Sequence, residues 1–388
     1  MSPGGRAPLP RVLWPLLYGN FVIGAGVMVV AATLSDISAD FSVTPASAGQ
    51  LITAGGVVMC LGAPLLAALA AGWDRRALLA LALAWYAALH AACALAPGLG
   101  SLLPLRAAGM VSAAVFTPQA AACVGLLVPA HHRGRAIAFI FLGWSLASVV
   151  GMPLGAYIGG LFGWRAAFVM VAAFSAIGAA WVWRAMPAGV RPPAMSRQAW
   201  AQVLQSRPLL LCIVVTLLYS VGQFVVFAYF APYFRQVLGA DPVALSLLLM
   251  WFGAFGLAGN VVASRHMDRI GADRAVAISL AAMAASLLAW PLGTSLALAA
   301  LVMVPWALGC FAANSAQQAR LLALGPSVAA GSIALNTSAI YAGQAIGAGG
   351  GGWLLERFGY PSLHWAGFAG LAAALAASVG VGRLRRAA

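Results

Sequence analysis

The sequence predicts an all-α polytopic membrane protein whose 12 transmembrane helices form two pseudo-symmetric repeats of six. Three observations carry this expectation. The 388 residues are 63% hydrophobic and only 7% charged, whereas a soluble domain carries about 25% charged residues. Such a chain lacks the polar surface to cover a water-facing globule. Apolar runs of the ~20-residue length that a bilayer core requires follow one another from end to end. The arginines sort to alternate ends of those runs, and segments of the first half recur in the second.

In the first half the runs cover about 12 to 34, 47 to 71, 77 to 96, 101 to 127, 134 to 161 and 166 to 185, separated by Pro, Gly and Arg. In the second they cover about 209 to 234, 243 to 264, 274 to 291, 296 to 322, 328 to 353 and 361 to 382. Between the sets lies a polar stretch containing Arg191, Arg197, Arg207 and the pair Pro192 and Pro193. The division is therefore an N-terminal six-helix bundle over 1–186, a linker over 187–208 and a C-terminal six-helix bundle over 209–388. The first run is too long for a cleaved signal peptide and is followed by many of its kind.

The net charge of +14 rests on 21 basic residues against 7 acidic ones, and every basic residue is arginine. A nucleic-acid surface would gather them into one patch. Here they stand singly or in twos and threes between apolar runs, which is how membrane topology is written. With the N-terminus placed in the cytoplasm, all but four of the 21 fall on the cytoplasmic side; Arg165, Arg235 and Arg357 fall outside and Arg106 lies within a span. That asymmetry puts both termini in the cytoplasm.

The halves echo each other. Gly151, Gly155 and Gly163 recur as Gly347, Gly351 and Gly359, each shifted by 196 positions, and Asp74-Arg75 recurs as Asp268-Arg269, shifted by 194. Two six-span repeats of parallel topology follow. The five cysteines fall in five different runs, which indicates neither a disulfide framework nor a metal site. His131 and His132 point apart as chain neighbours and read as a solvated loop.

Six plus six spans, a basic central linker and an Asp-Arg in both loops of the 2–3 type resemble the major facilitator superfamily of secondary transporters. More narrowly, Gly62 to Leu79, Arg133 to Phe141, Gly151 to Phe168 and Phe224 to Gly239 resemble the arabinose-efflux-permease and sugar-efflux group of twelve-span drug:proton antiporters. The resemblance implies export of a small amphipathic solute, a sugar or drug-like molecule, by alternating access and proton antiport across a bacterial-type inner membrane. It implies a monomer, with solute, protons and membrane lipid as partners, and neither nucleic acid nor a cofactor. An uptake symporter or an uncoupled facilitator is the alternative. A polytopic enzyme would need a cluster of His, Asp or Cys at one interface, and a sensor would need no polar lining.

The resemblance assigns gating to Asp74 and Arg75, with Asp268 and Arg269 as the repeat, and to the span 5 seam of Gly151, Pro153 and Gly155. Met152 and the late pair Gly159 and Gly160 depart from the strict antiporter form of that seam. Such glycines let another backbone approach closely, and Pro153 is expected to bend its helix. Arg106 lies about five residues into span 4, roughly 8 Å deep at ~1.5 Å per residue. A charge at the bilayer centre costs about 2.5–3.5 kcal/mol on insertion scales and faces a cavity or a partner. Its setting matches the span 4 arginine that the family links to proton transfer.

The seven acids all fall at or beyond span ends, and Val27 stands where relatives carry an acid in span 1. Proton coupling is left to Asp36, expected near Arg106, or to His90 in span 3. Spans 1, 4, 7 and 10 line the cavity in this family, which makes Asn20, Arg106, Gln119, Gln223 and Asn314 the expected solute contacts. Tyr229 adds an aromatic face.

Overall fold

The computed structural model describes residues 11–69, 72–129, 132–191, 197–325 and 328–387. Among them there is no strand. The first six spans are α1 Leu13–Asp40, α2 Pro45–Leu69, α3 Arg75–Ala94, α4 Leu99–Leu127, a fifth made of α5 Arg133–Leu146, a π-helical turn Ala147–Gly151 and α6 Met152–Phe162, and α7 Trp164–Ala185. A short helix, α8 Arg197–Gln205, lies within the stretch expected to be a linker, and α9 begins at Arg207. The second six are α9 Arg207–Phe227 with α10 Phe230–Gln236, α11 Pro242–Ile270, α12 Ala272–Leu288, α13 Leu296–Val302 with α14 Val304–Leu324, α15 Ala329–Phe358 and α16 Pro361–Ala387.

Ten of the spans are long and apolar enough to cross a bilayer by length and composition alone. The other two helices owe their shortfall to composition and length. α12 has 17 residues, and α15, 30 residues long, carries Asn336, Thr337, Gln344 and a run of glycines from Gly349 to Gly352.

Local chemistry sets the breaks. Asp241 caps α11, its side chain accepting from the Ala244 N–H at 2.7 Å, with Pro242 at the first turn, where its missing donor is not needed. Gly163 and Gly359 end the fifth and eleventh spans with φ of +85° and +72°. A side chain is strained in that region. Pro153 lacks the N–H that would bond one turn back, and the π turn immediately before it absorbs the defect.

The repeat seen in sequence is also a repeat of packing. A Cβ on Gly151 would meet Ala25 at 2.8 Å and one on Gly155 would meet Val29 at 3.6 Å; their counterparts Gly347 and Gly351 would meet the carbonyls of Val221 at 2.7 Å and Val225 at 2.8 Å. All four contacts are related by the same shift of 196 positions. Span 5 thus seats on span 1, and span 11 on span 7, by backbone approach across small residues, the attraction available where hydrophobic driving force is weak.

The halves are joined from the Asp36 end to about mid-span, where α2 packs closely on α15 and a Cβ on Gly56 would meet the Tyr341 carbonyl at 2.8 Å. At the end itself Asp36 of α1 forms an ion pair with Arg235 of α10, and Thr44 donates to Glu356 at 2.8 Å. Ser246 of α11 donates to the Pro153 carbonyl at 2.9 Å. A Cβ on Gly160 would meet Pro242 at 2.4 Å and one on Gly253 would meet the Ser148 carbonyl at 2.5 Å. Toward the opposite end, where α3 starts at Arg75, α5 scarcely touches α11 although α6 and the π turn pack closely on it. The bundle is closed at the Asp36 end, and toward the Asp74 end α5 parts from α11.

Candidate functional site

Arg106 is 3% exposed, inside the N-terminal half. Its Nη2 donates to the Val27 carbonyl at 3.0 Å, so the backbone of α1 accepts at the position where a carboxylate is absent. Its Nη1 lies 3.2 Å from Nε2 of His90. His90 Nδ1 is 2.9 Å from the Tyr86 carbonyl. That carbonyl can only accept, so the hydrogen-bond pattern assigns the proton to Nδ1 and leaves the Nε2 lone pair for Arg106. The Tyr86 hydroxyl donates to the Ile23 carbonyl at 3.2 Å. The Tyr86 ring lies edge-on to His90 at 4.1 Å, and Phe168 closes the far side at 5.7 Å.

Among the described residues no carboxylate reaches this guanidinium. Asp36 was expected near Arg106 and is instead paired with Arg235. The reason is axial distance: Arg106 meets α1 at Val27, and Asp36 stands nine residues further along the helix, about 13 Å at ~1.5 Å per residue. Asp36 therefore belongs to the closed end, where it links the two halves.

The expected solute contacts divide into three groups. Asn20 is fully buried and its amide is occupied, Nδ2 donating to the Ile140 carbonyl at 3.1 Å and Oδ1 accepting from Thr117 at 2.8 Å; it ties α1, α4 and α5 together. Gln119 is buried, Gln223 is half-buried, and the Gln223 Oε1 is enclosed with no hydrogen-bond partner. Asn314 is half-buried and its Oδ1 accepts from Gln318 and Asn336, both at 3.4 Å. Thr216 extends this uncharged network by donating to Asn336 at 2.6 Å, and beside it Ser315 donates to Asn260 at 2.7 Å. Gln223, Asn260, Asn314, Gln318 and Asn336 lie on helices of the C-terminal half, from mid-span toward the Asp74 end.

Tyr229 departs from expectation. It is fully buried, its hydroxyl donates to the Ala348 carbonyl at 2.7 Å, and it sits where a Cβ on Gly49 or Gly352 would be, 2.4 and 2.5 Å from the hydroxyl oxygen. It is a plug in the closed end and lines no cleft, because two glycines on α2 and α15 leave a socket of its size.

Asp74 caps α3, Oδ1 accepting from the Arg76 N–H at 3.0 Å while Oδ2 accepts from the Gly189 N–H at 3.0 Å. These backbone donors, Gly189 first, together with nearby Arg191 and Arg76 hold its carboxyl below the usual carboxylate range. Arg75 is buried, bonded through its N–H to the Val190 carbonyl at 2.9 Å and through Nη1 to the Trp73 carbonyl at 2.9 Å. The Asp74-Arg75 loop thus clasps the segment leaving α7, within its own half. In the repeat, Arg269 is exposed in the last turn of α11, and the Asp268 side chain lies outside the described ones. Gly151 and Gly155 face α1, also within one half, whereas the Pro153 carbonyl meets α11 of the other.

Arg320, one of the arginines expected on the cytoplasmic side, stands near the end of α14. It is fully buried, with Nε 2.6 Å from Asp273 Oδ1 and its two terminal nitrogens donating to Ser378 at 3.0 and 3.1 Å. It pins α12 and α16 to α14. Nothing in the spacing of Arg320, Asp273 and Ser378 announces that meeting, and the His90 to Arg106 contact is equally silent in sequence.

Residues 16–338 match the sequence profile of the Major Facilitator Superfamily. A chloramphenicol resistance protein of Streptomyces lividans is 35% identical over 346 residues, covering 87% of this chain and 88% of that one. A probable sugar efflux transporter of Helicobacter pylori is 28% identical over 362 residues, covering 92% and 90%. Among solved structures, a POT family transporter in complex with a thioalcohol-conjugated peptide superposes with a TM-score of 0.79 at 12% identity, covering 98% of this chain and 97% of that one; the likeness is one of fold. With the family profile spanning most of the chain and the paired six-helix halves built on one repeated glycine contact, this protein is a member of the Major Facilitator Superfamily of transporters.

Proposed function

We propose that the protein exports a small, uncharged amphipathic solute, sugar or drug-like, from the cytoplasm by alternating access in exchange for protons. The arginine asymmetry supports placing the Asp74 end and both termini in the cytoplasm of a bacterial-type inner membrane. The Asp74 end, where α5 parts from α11, is then the cytoplasmic one and admits solute, and the closed end is external. The names of the relatives support export. The monomer suffices, since each half supplies its own side of the cleft.

The observation that carries the reading is Arg106, a buried guanidinium hydrogen-bonded to His90 and Val27 and out of reach of any carboxylate among the described residues. A charge held at that depth is retained for function. The half-buried amides Gln223, Asn314 and Gln318 offer hydrogen bonds without charge, which suits a neutral solute. A facilitator without proton coupling is the second reading, favoured by the absence of any acid from the middle of a span.

The test is proton movement in vesicles reconstituted with the protein under an imposed pH gradient and challenged with phenicols and sugars. Export coupled to protons predicts solute-triggered dissipation by wild type and none by Arg106→Ala. Solute flux without proton flux selects the facilitator, and no flux of either kind with the whole panel overturns the proposal.

A further inference from the structure

We propose that His90 is the proton-accepting group of the transport cycle, and that Arg106 and the proton compete for its Nε2. The proposal rests on the export reading above. The titratable and charged groups facing His90 are the Tyr86 side chain of its own helix and Arg106 of α4, with Cys93 beside Arg106. α1 presents the carbonyls of Gly26 and Val27, and α7 presents the Phe168 ring. No carboxylate shares the pocket among the described residues, so the imidazole is the basic group available.

The geometry makes the two occupants of Nε2 exclusive. With Nδ1–H committed to the Tyr86 carbonyl at 2.9 Å, His90 has one lone pair, and Arg106 uses it at 3.2 Å. A proton arriving from water adds to that lone pair and forms an N–H bond. The Nη1–H···Nε2 hydrogen bond breaks, and no covalent bond does. Two cations then face each other at hydrogen-bond distance, and the guanidinium must leave. Its Nη2 contact with the Val27 carbonyl marks the way out, toward the half-buried Val27 and Met28. Deprotonation returns the proton to water and the guanidinium to Nε2.

A rule for solute charge follows. While Arg106 is docked on His90, the cleft presents uncharged groups and accepts a neutral amphipathic solute. Once Arg106 is released, a desolvated cation stands at the cleft and disfavours the same solute. Proton and neutral solute thus exclude each other, which is the condition for exchanging one against the other. An anionic solute would bind the released guanidinium together with the proton, and the two would travel the same way.

Two measurements separate this proposal from the export reading. The first is nitrogen NMR of histidine-labelled protein in lipid nanodiscs, with His90→Gln identifying the His90 signals. Wild type is expected in the neutral form protonated on Nδ1, and Arg106→Gln is expected to bind a proton at His90 about tenfold more tightly. The opposite tautomer in wild type, or unchanged proton affinity in Arg106→Gln, overturns the proposal. The second is vesicle transport of chloramphenicol as an uncharged probe. His90→Gln, which still offers Arg106 an acceptor, is expected to lose gradient-driven accumulation at least tenfold more than it loses gradient-free exchange. Equal effects on both assign His90 a packing role and overturn the proposal. If wild type moves no chloramphenicol, the assigned solute is wrong and the NMR result still decides the role of His90.

Discussion

Neutralising Asp36 is expected to weaken the closed end and populate the alternate state. Asp36 and Arg235 join α1 to α10 with side chains 18% and 22% exposed. A solvent-exposed ion pair contributes about 0–1 kcal/mol, and breaking a fully buried one costs about 3–5 kcal/mol because the survivor stays uncompensated. At this partial exposure Asp36→Asn should remove about 2 kcal/mol of closure, roughly a 30-fold change in equilibrium at ~1.4 kcal/mol per decade. An alternate state populated at about 1% would then rise to about a quarter of the molecules. The assay is pulsed electron–electron distance measurement between spin labels at Leu95 and Leu292, both exposed at this end and on opposite halves. A longer distance should gain population in Asp36→Asn and in Arg235→Gln, and the double variant should gain less than the sum of the two. Unchanged distributions in both single variants would refute the idea that this pair holds the halves together.

Other perturbations report on other parts of the structure. Gly253→Val puts a side chain 2.5 Å from the Ser148 carbonyl, and overpacking of about 1–3 kcal/mol should separate α11 from the π turn; the same label pair should lengthen without loss of folded protein. Thr216→Val removes the donor to the fully buried Asn336 and should lower thermal stability by about 1–3 kcal/mol, with solute affinity measured in parallel. Asp74→Ala removes an N-cap of about 0.5–2 kcal/mol. Because the folded carboxyl of Asp74 sits below its ordinary value of 3.8, its contribution is full above that value and fades as pH falls through the folded one. The melting-temperature deficit of Asp74→Ala should therefore be constant near neutrality and vanish in strong acid. A deficit that persists there would show that Asp74 acts without its charge.

The glycine contacts show how closely the linear repeat foreshadows the packing. Gly151 on Ala25 and Gly347 on Val221 are the same contact made twice, because a backbone seam needs a missing side chain at a fixed helical register and the sequence must display that absence. Asp74 was legible for a similar reason, since a cap acts on its own helix. Its clasp on Gly189 was not, because that partner is 115 positions away.

By itself, then, the sequence determined the solvent of this protein, its helical periodicity, its two-fold repeat and the depth of Arg106, all of which depend on composition and on spacing along one helix. Only the tertiary structure decided what those residues meet. It carried Asp36 away from Arg106 to Arg235, put Tyr229 into a socket of two glycines, buried Arg320 beside Asp273, and brought Nε2 of His90 to Arg106. Each of these depends on the rotation and axial offset of one helix against another. Such relations arise from packing summed over many small contacts, and no local pattern in the chain encodes them.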